Sequence, residues 1–417
     1  MLSRRTLTHH EADLGTWIFW RRPILLNQIF LLVLCSYPQH GNAEAISSIR
    51  NTIRVASFNV ALYRSTPGRL ATDLRTPETK QVRKLAEIIQ RVRPDVIVIN
   101  EFDSDQSDHN ASYFVNNYLS VSQNGQPPLP YRYVFSSPVN TGVSSDRDLN
   151  KNGKLTEPAD ALGYGRFEGQ YGMALLSRYP IQHDNIRTFQ QFLWKDMPAP
   201  QLPTNPETGT PFYSDSDMEV LRLSSKSHWD VPININGQML HFLASHPTPP
   251  VFDGPEDRNG CRNHDEIRFW ADYIDPEKSH YIYDDTGRRG GLRPNSRFVV
   301  VGDLNADPHD GDSRDHAIRQ LTEHPRIRQH PVPASCGGAE QSKLQGQANA
   351  QHLGNPAYDT ADFGDKNSGN LRVDYVLPAA TLKITQAGVY WPPPDAAEHQ
   401  LLDASDHRLV WVDLVLE

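Results

Sequence analysis

The sequence has few cysteines, no surplus of positive charge and only one long apolar run. Its 3 cysteines among 417 residues are too few for a small disulfide-stapled fold. A net charge of −9 excludes a strongly basic nucleic-acid coat protein, although an enzyme acting on nucleic acid needs only a local positive groove. A single apolar run excludes a membrane protein with several spans. With 38% hydrophobic and 22% charged residues, the chain can bury a sizeable core.

The one apolar run lies near the N-terminus and is typical of an export signal. Arg21 and Arg22 precede the run at 24–34, and Ala43-Glu44-Ala45 follows it as a cleavage site of the Ala-x-Ala type. The run is short for a bilayer span, so a signal peptide is favoured over the alternative, a signal anchor. We therefore expect residues 1–45 to be a signal peptide and the mature chain, 46–417, to be secreted or periplasmic.

Export would leave two cysteines, Cys261 and Cys336, in the mature chain. Two cysteines in an oxidising compartment favour a disulfide, with two buried thiols as the alternative. We predict that they pair and tie two loops together.

Hydrophobic patterning predicts one elaborated α/β domain, because no repeat and no linker divides the mature chain. Thr76 and Pro77 predict the start of a helix that ends at Pro94. Residues 331–370 are polar and rich in glycine, serine and asparagine, and we expect them to form a long loop. The predicted strands are 53–59, 96–99, 172–177, 241–245, 298–301, 373–377 and 409–416.

Polar side chains gather where these apolar strands begin or end. A single carboxylate beside a strand is usually a turn residue, but turn chemistry does not explain such residues at several strand ends. Ligands of α/β sheets bind in crevices at strand ends, so we expect these side chains to share one site. The residues are Asn59, Glu101, His246, Asp303, Asn305, Asp406 and His407 at strand ends, and Asp374 within a strand.

These residue types suit metal-assisted hydrolysis of a phosphoester. Carboxylate and amide oxygens are hard ligands that suit Mg²⁺, Mn²⁺ or Ca²⁺, and no cysteine cluster or His-x-x-x-His pattern argues for zinc. His246 and His407 can flank an anionic substrate, one as a base towards water and the other as a donor to phosphate oxygens. A metal beside them would neutralise charge on the transferring phosphoryl group.

Seven segments that carry these residues resemble the endonuclease/exonuclease/phosphatase superfamily, in the family's order from about residue 50 to 417. Two of them are Gly-Asp-Leu-Asn at 302–305 and Ser-Asp-His at 405–407. That family includes deoxyribonucleases, apurinic endonucleases, inositol-polyphosphate phosphatases and neutral sphingomyelinases. The resemblance implies a four-layer α/β (α+β) fold, in which two mixed β-sheets pack face to face with helices outside. The segments are 55–60, 99–101, 171–181, 242–246, 301–305, 372–377 and 405–408.

The resemblance also implies a metal site for Mg²⁺ or Mn²⁺. Glu101 corresponds to the principal metal ligand, and Asn59 would lie beside the metal and the phosphate. Asp406 would be a second ligand or would shape the metal site. Ala61 stands where some members carry an aspartate that assists the metal.

Five further positions match the family's catalytic residues. Asp303 and Asn305 would orient the attacking water and hold a phosphate oxygen. His246 would contact the scissile phosphate as an acid or hydrogen-bond donor. His407 would be the second catalytic histidine, and Asp374 would orient it and fix its tautomer.

Residues 146–155 resemble the start of a calcium loop. Asp148, Asn150 and Asn152 fall at positions 1, 3 and 5, and Gly153 at position 6, but position 12 is Ala159 rather than glutamate. We predict a noncanonical, structural Ca²⁺ loop in an insertion at about 136–170, with a surface turn rich in aspartate and asparagine as the alternative.

Taken together, the sequence predicts an exported metal-dependent phosphoesterase, foremost a phosphodiesterase or nuclease that directs water onto phosphorus. The expected substrate is a nucleic acid or a small phosphodiester. The alternatives with the same fold are a phosphomonoesterase and a phospholipid phosphodiesterase, and the alternative of another class is a non-catalytic calcium-binding adhesive module. The sequence indicates no stable protein partner and no transmembrane segment in the mature chain.

Overall fold

The computed structural model describes residues 52–105, 109–155 and 157–416. The predicted signal peptide, 1–45, lies outside these residues. Across the described ranges, none of the helices combines the length and the apolar character needed to cross a membrane.

Two large mixed sheets form the centre of the fold. The strands are β1 (Thr52–Leu62), β2 (Val96–Phe102), β3 (Tyr133–Phe135), β4 (Met173–Ser177), β5 (Arg187–Thr188), β6 (His228–Ile235), β7 (Gln238–Ser245), β8 (Phe298–Asp303), β9 (Ala361–Asp362), β10 (Asn370–Leu371), β11 (Asp374–Pro378), β12 (Lys383–Val389) and β13 (Val410–Val415). The first sheet has the order β12-β13-β1-β2-β4-β3 and the second β11-β8-β7-β6-β5, while β9 and β10 form a short pair. The pairs β1–β2 and β7–β8 are parallel, and the other pairs in the two large sheets are antiparallel.

Helices cover the outer faces of both sheets. They are α1 (Arg69–Leu74), α2 (Lys80–Val92), α3 (His109–Phe114), α4 (Asp215–Met218), α5 (Arg258–Ile274), α6 (Arg319–Thr322) and α7 (Cys336–Gln345). On β1, Val55 packs in the cluster that joins the two sheets, whereas Phe58 packs in the cluster beneath α2. Trp270 of α5 packs on the second sheet. The predicted four-layer arrangement is therefore confirmed, and strands buried on both faces explain the continuous apolar runs.

Two local predictions about helices were wrong. The predicted helix begins at Lys80 rather than after Thr76. The Tyr118 hydroxyl donates to the Thr76 carbonyl, and the Thr79 hydroxyl donates to the Asp73 carbonyl at 2.7 Å. These bonds hold residues 76–79 in the turn that follows α1, so the helix starts only after them.

Residues 331–370 contain a helix, α7, instead of an uninterrupted loop. The Ser335 hydroxyl caps it by accepting from the Gly338 N–H at 3.1 Å. A Cβ at Gly337 would lie 2.1 Å from the Trp391 carbonyl oxygen, so this helix packs through bare backbone. It therefore has no apolar stripe from which periodicity could have predicted it.

The predicted disulfide between Cys261 and Cys336 is also wrong. Cys261 is a free thiol on α5 and takes part in no disulfide. The Cys261 side chain is 2% exposed and belongs to the apolar core, where burial raises the pKa of its thiol to about 11. Cys261 therefore acts as a small core residue.

The burial of His228 predicts that the stability of the protein falls at acid pH. It is buried against Phe269 and Trp270, and burial lowers its pKa to about 4. The unfolded chain binds this proton near an ordinary pKa of about 6.5. The free energy of unfolding should therefore fall as the pH falls from about 6.5 to 4, because the unfolded state binds more protons there.

The His228→Gln variant should reduce that fall by roughly 2–3 kcal/mol between pH 7 and pH 4.5. Urea unfolding at the two pH values measures it. The exposed His183→Gln variant is the control, and its free energy of unfolding should show the same pH dependence as that of the unmodified protein. The same pH dependence in His228→Gln as in the unmodified protein would show that this histidine does not contribute.

Candidate active site

The predicted site residues come together at one edge of the two packed sheets. Because β1 and β2 are parallel, as are β7 and β8, Asn59 and Glu101 lie at one pair of strand ends, and His246 and Asp303 at the other. Asp374 begins β11 and lies opposite Asp303 in the antiparallel register. His407, Asp406 and Asn305 follow in the adjoining loops. All eight predicted residues therefore belong to one constellation.

Asp303 is the centre of this constellation. Its carboxylate accepts from the Asn59 side-chain amide at 3.0 Å and from the Asn305 N–H at 2.9 Å. The Nε2 atoms of His246 and His407 lie 3.5 and 3.7 Å from the same carboxylate. Burial raises the pKa of Asp303 to about 6 against the opposing effect of His407, so it is ionised at neutral pH.

His407 is held as an imidazolium between two carboxylates. Its Nδ1 donates to Asp374 at 2.8 Å, and its Nε2 faces Asp303. Burial alone would lower the pKa of His407, but these two carboxylates raise it to about 10. A buried positive charge beside a transferring group can stabilise negative charge that develops there.

His246 has the opposite protonation state. It is 3% exposed, and burial, together with the positive charges of Lys226 and His407, holds its pKa well below the ordinary range. Its Nδ1 is buried and has no hydrogen-bond partner among the described residues. One neutral and one protonated histidine around one carboxylate are the pattern expected for separate acid and base roles.

The oxygen donors around Glu101 fit a hard divalent cation. Burial raises the pKa of Glu101, and the carboxylates of Asp303 and Asp406 raise it further, while His407 and the Asn59 amide lower it. A bound cation would relieve this repulsion between carboxylates. Carboxylate and amide oxygens are also the ligands that Mg²⁺ and Mn²⁺ prefer.

A second group could also hold a metal. Asp303, Asp374 and His407 each offer a ligand atom within 4.8 Å of the others, and Asp374 Oδ1 is buried without a hydrogen-bond partner among the described residues. Within this group, however, His407 Nδ1 is already bonded to Asp374 and its Nε2 faces Asp303, so these atoms pair with one another. The oxygen donors around Glu101 are therefore the better metal site.

Asn100 positions the site but was not predicted. Its Oδ1 accepts from the Asp303 N–H at 3.1 Å, and its Nδ2 donates to the Ser245 carbonyl at 3.4 Å. It thereby joins β2 of the first sheet to β7 and β8 of the second. The available signal in the sequence was a polar residue between the apolar run 96–99 and Glu101.

Ser405 and Thr360 hold the loop that carries His407. The Ser405 hydroxyl donates to the Asn59 carbonyl at 2.8 Å and accepts from the His407 N–H at 3.1 Å. The Thr360 hydroxyl accepts from the Asp374 N–H at 2.9 Å. Ser405 lies within the Ser-Asp-His segment, whereas nothing in the sequence around Thr360 indicated its role.

Lys226 is a further residue near the site whose role the sequence did not indicate. It is 7% exposed, and among the described residues its ammonium has no hydrogen bond or ion pair. Burial lowers its pKa, while the nearby carboxylates of Glu266, Glu101 and Asp303 raise it. A buried cation without a partner beside the site is available for an anionic substrate.

In the predicted calcium loop, side-chain oxygens accept hydrogen bonds from the backbone N–H groups of the same loop. Asp148 accepts from the Gly153 N–H at 2.8 Å, and Asn150 accepts from the Asn152 N–H at 3.1 Å. The Asn152 amide donates to Glu157 at 2.7 Å. Such bonds form with or without an ion, so the calcium site stays a prediction.

The chain is similar in sequence to one known protein family. The sequence model of the Endonuclease/Exonuclease/phosphatase family matches residues 56–407. An endonuclease/exonuclease/phosphatase from Beutenbergia cavernae is similar in structure, with 17% identity, 88% of this chain and 72% of that chain covered, and a TM-score of 0.45. No match was found among curated proteins.

Two further solved structures are similar in fold. Sphingomyelinase C from Streptomyces griseocarneus has 13% identity, with 87% of this chain and 99% of that chain covered and a TM-score of 0.43. A mannosyl-6-phosphatase from Bacteroides thetaiotaomicron has 12% identity, with 87% of this chain and 100% of that chain covered and a TM-score of 0.42.

The pairing of His407 with Asp374 can be tested by NMR. In Asp374→Asn the pKa of His407 should fall from about 10 towards or below its ordinary value, because one of the two carboxylates that raise it is gone. A pH titration of the imidazole resonances measures this shift. In the control Asp413→Asn, which breaks the distant pair with Arg54, the His407 titration should not move. An unmoved His407 pKa in Asp374→Asn would disprove the pairing.

Proposed function

The chain belongs to the endonuclease/exonuclease/phosphatase family, and on that premise we propose that it is a divalent-metal-dependent phosphodiesterase. Members of this family are hydrolases that act on phosphoester bonds, and they generally use divalent metals. The observation that carries the proposal is the Asp303 carboxylate, with the Nε2 atoms of His246 and His407 at 3.5 and 3.7 Å and His407 Nδ1 bonded to Asp374 at 2.8 Å. That arrangement, beside a cluster of oxygen donors, suits attack of water on phosphorus.

Each residue has a role that its geometry supports. Asp303 orients the attacking water and accepts its proton, since its carboxylate is ionised at neutral pH. Asn305 and neutral His246 contact phosphate oxygens. Protonated His407, oriented by Asp374, stabilises the negative charge that builds up in the transition state.

Two sources of positive charge complete the phosphate site. A divalent cation, held by Glu101 with Asn59 and Asp406 beside it, would neutralise charge on the phosphoryl oxygens when bound. Lys226 supplies a second positive charge from the side of β6, where its ammonium has no partner among the described residues. Together they favour a substrate with at least one phosphate charge.

We also propose that residues 1–45 direct export and are then removed. The basic pair, the short apolar run and the Ala-x-Ala site support this. N-terminal sequencing of the exported chain should begin after Ala45, and a chain retained with its apolar run would instead indicate a signal anchor.

Hydrolysis of bis-p-nitrophenyl phosphate and p-nitrophenyl phosphate tests the proposed activity. With Mg²⁺ or Mn²⁺ the diester should be cleaved, and EDTA should abolish the cleavage. His407→Gln should lower kcat by roughly 10²–10⁴-fold, because it removes the charged donor. His183→Gln, an exposed substitution, is the control.

Three other outcomes would change the assignment. Cleavage of the monoester alone would indicate a phosphatase. Cleavage of neither ester with any metal would contradict the proposed activity. Full diester cleavage in His407→Gln, or in EDTA, would contradict the mechanism.

Calorimetry with metal-free protein tests the metal site. Glu101→Gln should weaken Mg²⁺ or Mn²⁺ binding at least about tenfold, because a charged ligand is lost. Asp148→Asn should leave that binding unchanged and should weaken Ca²⁺ binding if the loop holds calcium. Metal binding that depends on Asp148 but not on Glu101 would instead support the calcium-binding adhesive module.

A further inference from the structure

Two tyrosines lie beside the carboxylates of the active site. Tyr63 directly follows β1, and Tyr171 lies just before β4. Their ring centroids are 4.8 Å apart, with the ring planes inclined by 43°. Burial raises the pKa of both hydroxyls, and the Glu101 carboxylate adds to that effect, so both rings are close to Glu101.

This pair is not a part of the core. Tyr63 is 43% exposed, and neither hydroxyl has a hydrogen-bond partner among the described residues. Tyr164, which is 56% exposed, also lies near Tyr171. Aromatic faces are therefore accessible at the rim of the metal site, on the side of Glu101.

Buried polar side chains fix the backbone that carries the two rings. The Asp103 carboxylate, 4% exposed, accepts from the Arg64 N–H at 2.8 Å and from the Tyr171 N–H at 3.1 Å. The Gln170 side chain donates to the Arg64 carbonyl at 2.7 Å. The residues next to Tyr63 are thus bonded directly to the segment that carries Tyr171.

The backbone of Tyr171 is itself strained. Its φ of +56° places a bulky residue in the left-handed region, which costs conformational energy unless the surroundings enforce it. Such strain is concentrated at functional sites. A rim that is held in this conformation is preorganised for a ligand.

Charge next to the pair favours an anionic ligand over a lipid. Arg166 is exposed, and its guanidinium has no hydrogen bond or ion pair among the described residues, yet it is near enough to Tyr171 to lower the pKa of that hydroxyl. A lipid chain would need a continuous apolar surface. Here both rings lie near the Glu101 carboxylate, and Tyr171 also lies near the Arg166 guanidinium.

We propose that Tyr63 and Tyr171 form a stacking subsite for the nucleobase of the nucleoside whose sugar carries the scissile phosphate. The preferred substrates are then phosphodiesters of nucleosides. This inference rests on the proposed phosphodiesterase activity. Tyrosine faces bind bases of any sequence by stacking, and arginine beside them suits a neighbouring phosphate. The subsite therefore selects for a base without selecting which base.

The test compares two substrates that differ only in the base. One is thymidylyl-(3′→5′)-thymidine, and the other is the same diester built from two abasic tetrahydrofuran units. With Mg²⁺, the unmodified protein should cleave the thymidine diester with a kcat/KM about tenfold higher, chiefly through a lower KM, as expected for one stacked base. Tyr63→Leu should reduce this ratio to near one, whereas Tyr63→Phe should keep it, since only the ring is required.

The outcomes separate the subsite from the activity. If the unmodified protein cleaves both diesters equally, or if the ratio is the same in Tyr63→Leu, the stacking subsite is disproved while the phosphodiesterase stands. If neither diester nor bis-p-nitrophenyl phosphate is cleaved with any metal, the proposed activity fails and the subsite fails with it. Thermal unfolding of both variants confirms that each is folded.

Discussion

The geometry of the site depends on one buried carboxylate, that of Asp303. A buried charge is costly unless charged or hydrogen-bonded partners compensate it. Here the Asn59 amide comes from the first sheet, the Asn305 N–H from the loop after β8, and His246 and His407 approach within 3.7 Å. The same bonds hold the two sheets together at their common edge. Removing this carboxylate would therefore disturb both the electrostatics and the alignment of the sheets.

Charge around Asp303 is arranged for two successive ligands. Carboxylates outnumber cations around Glu101, and a divalent cation bound there would offset the excess of negative charge. His407 and Lys226 are the positive groups near these carboxylates. A bound divalent cation would cancel the excess of negative charge, so that an anionic phosphate could bind. The proposed tyrosine subsite at the rim would bind the nucleoside attached to that phosphate.

Strand ends were predictable from sequence because buried strands are continuous apolar runs and their polar ends stand out, as at Glu101 and Asp303. The fold and the gathering of the site residues followed from that pattern and from the family resemblance. What could not be predicted depends on contacts distant in sequence. Helix α7 packs through Gly337 rather than an apolar stripe, and Cys261 lies in the core instead of pairing. The role of Lys226 is visible only in the structure, where it is buried and its ammonium has no hydrogen bond or ion pair among the described residues.

Anomalous diffraction from a crystal soaked in Mn²⁺ tests the central claim most directly, because it locates the metal without any assay. The account predicts a single strong peak in contact with the Glu101 carboxylate, with His407 still bonded to Asp374. A peak among Asp303, Asp374 and His407 would contradict it, since His407 would then be a neutral metal ligand and not the charged donor.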